Sequence, residues 1–383
     1  MKFLIKNIQI ITEADHLPDA ALLVEDGKIS EIYTSPQELN ISDSAEIING
    51  EGKLLIPGMI DVHIHGARGL DMMDGTVESV EEVSRSCASA GCTTFLATSV
   101  TSSLERLFSM IEAVKKVIGK EPGAKIAGMH LEGPYLHPNK KGMQNEAFLR
   151  HPDIPEMKKI LEVGGDLIKM VTIAPELPGG FELVSFLKEK GIIVAIAHSE
   201  ANYDEAKNAF SLGVSHITHC FNAMRPIHQR DPGLILAAFE EEKVSLQAIV
   251  DDVHLHPAIV RLMHRIKGPD KMVLVTDAMQ AMGMGDGKYN FGGHEVEVKN
   301  GVATLNDGTL ASSTVTMNEA LKKTINCGIP LPEAVKMATQ TPAGILNLSE
   351  KGRIRKGADA DLVLMDHNFE IIWTMIEGNI FQN

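Results

Sequence analysis

Eight apolar runs of strand length recur between residues 59 and 276, and amphipathic, helix-length segments lie between them. The runs are 59–64, 93–98, 126–131, 168–173, 192–197, 214–218, 245–250 and 272–276. Val77–Ala90, Leu104–Ile118, Phe181–Glu189, Tyr203–Leu212 and Ala258–Ile266 carry apolar residues at three- to four-residue spacing, the mark of a helix with one buried face. Eight strand–helix units match an α/β fold of the (β/α)8 TIM-barrel type and overfill a flavodoxin-like sheet. One barrel of typically ~250 residues also leaves room for an appendage in a chain of 383.

The flanks read differently. Lys2–Ile11, Ala21–Val24, Ile29–Tyr33, Glu46–Asn49 and Lys53–Ile56 are candidate strands, with a turn at Glu25–Lys28. Strand character returns at Ala360–Leu364 and Ile371–Met375, in a tail too short to fold alone. The economical arrangement joins residues 1–56 and 352–383 into one small composite β-sandwich, beside a barrel of residues 57–351. After the eighth strand, Gly285–Gly308 reads as a hairpin turning at Asn300-Gly301, and helices resume at Thr316–Asn326 and Leu331–Thr339.

A formal charge of −15 argues against a nucleic-acid or anionic-membrane surface, which needs a basic face. A small anionic substrate is compatible if a few Arg and His residues cluster. Cys87, Cys92, Cys220 and Cys327 form no C-x-x-C pair and read as reduced, buried thiols; Cys220, next to His219, points away from it as successive strand residues do. Met1–Asn7 is too short an apolar stretch for a signal peptide, and no run reaches the ~18 apolar residues of a membrane helix. A soluble, cytoplasmic protein is expected.

Five of the apolar runs end on residues that hold metals or move protons. In a barrel the C-terminal strand ends share one rim, where the chemistry sits. His63 and His65, two apart, project to one side and suit a single ion. Glu132 closes the third run, and its two oxygens suit a bridge between two ions. His130 lies one layer deeper on the same face, where orienting a neighbour fits better than ligation. His198 and His219 follow the fifth and sixth runs. Spacing sets His216 and His219 on opposite faces, so His219, at the strand end, is the ligand candidate and His216 is expected to pack against a helix. Asp277 closes the eighth run, placed to take a proton from water and pass it to a leaving group.

With these residues assembled, the chain resembles the N-acetylglucosamine-6-phosphate deacetylases of the amidohydrolase superfamily nearly end to end. The resemblance is carried by Pro57–Gly66, His130-Leu131-Glu132-Gly133-Pro134, His198-Ser199, His219–Met224, Arg230-Asp231-Pro232-Gly233, Val275–Ala278 and Thr309-Leu310-Ala311. It implies metal-dependent removal of acetate from an amino-sugar phosphate, with Glu132, His198 and His219 as metal ligands and Asp277 as catalytic acid/base. The presence of both His63 and His65 implies two divalent ions per subunit (zinc, iron, manganese or cobalt). The fourth run ends Val171–Pro175 without the lysine that some binuclear amidohydrolases carboxylate, which favours a glutamate bridge. Sugar-phosphate contacts are implied at Met143, Gln144, Asn222, Ala223, Arg230, His254, Leu310, Ala311 and Ser312. In the family the arginine reaches across from a neighbouring subunit, so a homodimer sharing Arg230 is expected. Arg225, His228 and Arg230 gather positive charge in one loop, as a phosphate site needs.

Three positions depart from the family pattern. Asp252 and Ser312 stand where glycine is usual, and both predict a narrower sugar pocket; Cys220-Phe221 replaces a commoner Leu-Tyr. N-acetylgalactosamine 6-phosphate is the nearest rival substrate. A dihydroorotase-like or deaminase activity fits less well, and a barrel that has lost catalysis would show broken ligands, whereas all six candidates are present.

Overall fold

The computed structural model describes residues 1–12, 16–34 and 45–381; of the expected terminal unit, 13–15, 35–44 and 382–383 lie outside the described residues. Among the described residues, eight strands pair in parallel in chain order: Met59–Ile64, Cys92–Ser99, Lys125–Glu132, Ile168–Ile173, Ile193–Ile196, Val214–Ile217, Ser245–Ile249 and Met272–Val275. Each falls within a residue or two of its expected run. Helices pack outside, several on the segments the spacing indicates: Val77–Ser89, Leu104–Val117, Gly180–Glu189, Tyr203–Leu212 and Pro257–Lys267. Side-chain caps start four of these five, all but Gly180–Glu189. Thr76 accepts from Ser79 N, Ser103 from Arg106 N, and Asn202 forms a reciprocal box with Glu205.

Closure of the barrel is the part of the fold that most directly positions the site. Asp277 N donates to His63 O at 2.8 Å, and His65 N and Gly66 N donate to Ala278 O at 2.9 and 3.0 Å. Beneath this seam the buried Asp61 carboxylate accepts from His63 N (3.1 Å), from Thr276 Oγ1 (2.5 Å) and, more loosely, from Thr276 N (3.4 Å). Asp61 thus ties the first strand to the eighth, directly below His63 and Asp277. Gly66 is needed for close approach: a Cβ there would stand 2.5 Å from Leu70 O.

The terminal segments build one seven-stranded sheet, ordered Asn379–Phe381, Ile371–Ile376, Leu362–Met365, Glu46–Pro57, Lys2–Ile11, His16–Glu25, Lys28–Tyr33. The central pair, Lys2–Ile11 with Glu46–Pro57, is parallel. The sheet folds over a core of its own containing Ile5, Ile10, Leu22, Ile29, Leu55, Leu364 and Met375. Ile29 N donates to Ala358 O and Gly357 N to Ile29 O, which brings the two arms together. The two strands expected at 46–49 and 53–56 are a single strand. The excursion is three-stranded, because Gly287–Phe291 pairs with His294–Lys299 ahead of Val302–Thr304.

Two outer helices escaped the periodicity. Ile154–Gly164 has Pro155 in its first turn, where proline is tolerated although it reads as a breaker. Gly233–Glu240 buries Leu234, Ile235, Ala237, Ala238 and Phe239, so it is apolar nearly all round and shows no alternation. A third, Gln340–Ile345, is only six residues long. No helix among the described residues is long and apolar enough to cross a membrane.

Candidate metal centre and active site

The strand ends deliver their side chains to one point. His63 Nε2 lies 3.0 Å from His65 Nε2, and Asp277 Oδ1 lies 3.3 and 3.1 Å from these two atoms. Glu132 Oε1 lies 2.9 Å from His219 Nε2 and 3.2 Å from His198 Nε2, while its Oε2 lies 3.7 Å from His65 Nε2. The six residues therefore form two groups, His63/His65/Asp277 and Glu132/His198/His219, each with donor atoms within 4.8 Å of one another. Glu132 lies between the groups, since its Oε1 is also 3.9 Å from His63 Nε2. All six side chains are at least nine-tenths buried.

The far side of each ring decides what the near side offers. Gln247 Oε1 accepts from His219 N at 3.2 Å, so its oxygen faces inward and His63 Nδ1, 3.0 Å away, must be the donor. His65 Nδ1 and His198 Nδ1 donate to the backbone carbonyls of Thr98 (3.3 Å) and Lys140 (2.7 Å). With Nδ1 protonated, a neutral ring presents the Nε2 lone pair to the centre, the form that binds metals. The surroundings push the two rings of the first group in opposite directions. Burial opposes a charge on His65, yet Asp277 and Glu132 outweigh it and raise the ring to about 9. His63 is pushed down to about 4, chiefly by burial. Lone pairs and carboxylates packed together without a cation repel, so this donor set fits divalent metal.

Backbone strain accompanies the convergence. His198 (φ 48°), His219 (φ 28°) and Asp277 (φ 47°) all lie in the left-handed region, which non-glycine residues seldom occupy. At His219 this turn corrects the expectation for His216. His216 shares its face with Thr218, whose hydroxyl meets Thr172 Oγ1 at 2.8 Å inside the barrel. His216 thus faces the barrel interior, bonded to Ser245 Oγ at 2.6 Å, and not a helix. The left-handed step after Thr218 lets His219 face the centre despite the spacing of three. His130 sits deeper, as expected, bonded to Val62 O and Thr172 Oγ1.

A cavity of about 330 Å³ opens above the centre, within the size range of small-molecule sites. Met143, Gln144, Asn222, Ala223, His254, Leu310 and Ser312 all line it. Ala311 is fully buried behind that lining. Gln144 does more than line: its Nε2 donates to Glu132 Oε2 at 2.6 Å and its Oε1 accepts from Thr101 N, so it orients the carboxylate. Asp252 does not narrow the pocket. Its side chain is exposed and paired with Lys323 Nζ at 2.5 Å, and φ of 67° explains why glycine suits the position. Ser312 (φ 71°) does face the cavity, with its hydroxyl donating to Asp277 O.

Arg230 is exposed and outside the cavity of its own chain. The expected cationic loop is partly neutralised, since Arg225 pairs with Asp231. Cys220 is buried, which pushes its thiol up to about 12 and leaves it inert. Sequence reasoning missed Asp61, Gln247, Thr98 and Lys140, and also Phe291, which brings the excursion sheet against His65 with ring centroids 5.4 Å apart. A glutamine in mid-strand or a backbone carbonyl carries no local signal.

The sequence profile of the amidohydrolase family matches residues 54–381. The chain belongs to the amidohydrolase family. Among its relatives, this amidohydrolase is 37% identical to the N-acetylglucosamine-6-phosphate deacetylase of Bacillus subtilis (strain 168), over 98% of this chain and 96% of that protein. It is 36% identical to the human protein of the same name, over 86% and 83% of the two chains. The crystal structure of the Pasteurella multocida enzyme of that name superposes with a TM-score of 0.94 at 32% identity, covering both chains fully. A mutant of the Mycobacterium smegmatis deacetylase, solved in complex with N-acetyl-D-glucosamine-6-phosphate, gives 0.91 at 31% identity with the same coverage. The resemblance read from the motifs is borne out. This amidohydrolase is a hydrolase of amide bonds.

Proposed function

We infer that this amidohydrolase is an N-acetylglucosamine-6-phosphate deacetylase, releasing acetate and glucosamine 6-phosphate from N-acetyl-D-glucosamine 6-phosphate. One observation carries the reading: both metal-ligand groups and Asp277 meet under a small-molecule cavity, in a chain whose near full-length relatives bear that name. Two divalent ions fit the donors, one on His63 and His65 and one on His198 and His219, with Glu132 between them. The chemistry supplied by metal at such a centre is a lowered pKa for water and relief of negative charge building on the carbonyl oxygen.

Asp277 supplies the proton traffic. Burial opposes its charge, but the His63 and His65 rings outweigh burial and hold the carboxyl below the usual range, so it stands ready as a base. It takes the proton of the attacking water. It then returns that proton to the nitrogen, because an amine anion is too basic to depart unprotonated. Asp277 N is itself tied to His63 O, and Ser312 Oγ to Asp277 O, so the backbone that carries the carboxylate is held from both sides.

For the phosphorylated end we propose His254, with Arg230 of each chain serving the cavity of the other in a homodimer. The exposed position of Arg230, away from its own cavity, supports sharing. The four cysteines are buried and unpaired, which supports a cytoplasmic setting. A relative from Escherichia coli O157:H7, 30% identical over 99% of both chains, is an N-acetylgalactosamine-6-phosphate deacetylase, so the epimer is the reading to compare. Acetate release from both 6-phosphates by the metal-loaded protein tests the assignment. A higher kcat/KM on the gluco epimer is expected; preference for the galacto epimer would replace it.

A further inference from the structure

Asp251 opens the loop after the seventh strand, directly before the departure at Asp252, and neither motif nor spacing gives it a task. Its carboxylate binds its own loop, chiefly His254. Oδ1 accepts from Val253 N at 2.9 Å and from His254 N at 2.8 Å, and Oδ2 lies 2.6 Å from His254 Nδ1. The two side chains are 9% and 5% exposed, so this pair is little screened by water. Lys323 Nζ donates to Asp251 O at 3.2 Å and to Asp252 Oδ2, which pins the loop to the Met317–Asn326 helix. Burial works against the Asp251 charge, yet the bonds from His254 outweigh it and hold the carboxyl below its usual range.

An ionised carboxylate only accepts, so His254 Nδ1 must donate, and the ring's position is set by backbone and side chain together. His254 lines the cavity, so Nε2 is the ring nitrogen left for a ligand. Of the imidazoles lining that cavity among the described residues, His65, His198 and His219 belong to the metal-ligand groups and His254 does not. With the Asp251 carboxylate fixing Nδ1, the ring turns Nε2 toward an incoming phosphate.

We propose that Asp251 is a positioning residue for substrate recognition, which orients His254 as the anchor that selects a phosphorylated over an unphosphorylated amino sugar. The proposal rests on the deacetylase reading above. It differs from a purely structural role for Asp251, because Asp251 must act through His254.

The test measures kcat and KM of the metal-loaded protein on N-acetylglucosamine with and without the 6-phosphate. Four proteins are compared: wild type, Asp251→Asn, His254→Gln and the double variant. Asp251→Asn is expected to raise KM for the phosphorylated sugar about tenfold or more, the loss of a charged hydrogen bond, with kcat and the unphosphorylated substrate changed by less than about twofold. The double variant is expected to be no worse than His254→Gln alone, as for two residues acting as one unit. Multiplying losses in the double variant, or equal losses on both substrates, overturn the proposal and leave the deacetylase reading standing. A wild type that does not favour the phosphorylated sugar sinks that reading and the proposal with it. If Asp251→Asn does not fold, His254→Gln carries the test: it must show the same KM split, and a fall in kcat alone overturns the proposal.

Discussion

Gln247 does not itself line the cavity, yet its side-chain oxygen receives His63 Nδ1 and His219 N together. One amide thus sets the tautomer of a ligand in the first group and the backbone of a ligand in the second. Replacing it with leucine keeps the bulk and removes both acceptor contacts. Metal affinity is expected to fall about 10- to 100-fold, as for other partners that orient metal ligands. Titration against a chelator measures this; an unchanged affinity would show that the rings need no such support. Gln144→Leu, which frees Glu132 Oε2, is expected to fall in the same range. The candidate ligands were readable because each closes an apolar run. Gln247 and Gln144 were not read as orienters, since their partners are 184 and 12 residues away and no periodicity reports such a pairing.

Among elements, the barrel strands were legible because each is an apolar run of strand length bounded by polar turns, while the helices were legible only where one face is polar. Gly233–Glu240, apolar nearly throughout, shows the limit of that signal. The seam between the first and last strands was not legible either, because Asp61 reads as one more residue of a motif whose histidines claim the chemistry. In the structure it receives three donors beneath the site. Asp61→Ala leaves those donors buried and unpaired, at a cost of at least about 3 kcal/mol in the metal-free protein. Denaturant unfolding measures it, and a loss below about 1 kcal/mol would mean that the strands hold each other without the carboxylate. Asp61→Ala is also expected to weaken metal binding, since the same seam carries His63 and Asp277.

At the scale of the whole molecule, the terminal sheet has its own core and the chemistry stays at the barrel mouth, with Phe291 of the excursion sheet as an added wall. The sharing of Arg230 belongs to this scale. If each cavity uses Arg230 of the other chain, then Arg230→Ala and Asp277→Asn chains, each defective alone on the phosphorylated sugar, complement when mixed and allowed to exchange. Random pairing restores about a quarter of the sites, one in each mixed dimer. No recovery in a mixture shown to contain mixed dimers would place Arg230 in the service of its own chain. The account as a whole turns on Asp277 moving the proton between water and amine. Acetate release from N-acetylglucosamine 6-phosphate in a single turnover, compared between wild type and Asp277→Asn at equal metal content, tests this most directly. A fall in rate of at least ~10²-fold with substrate binding retained is the predicted result, at the lower end for loss of a general acid/base. A near-normal rate from the asparagine variant would contradict it.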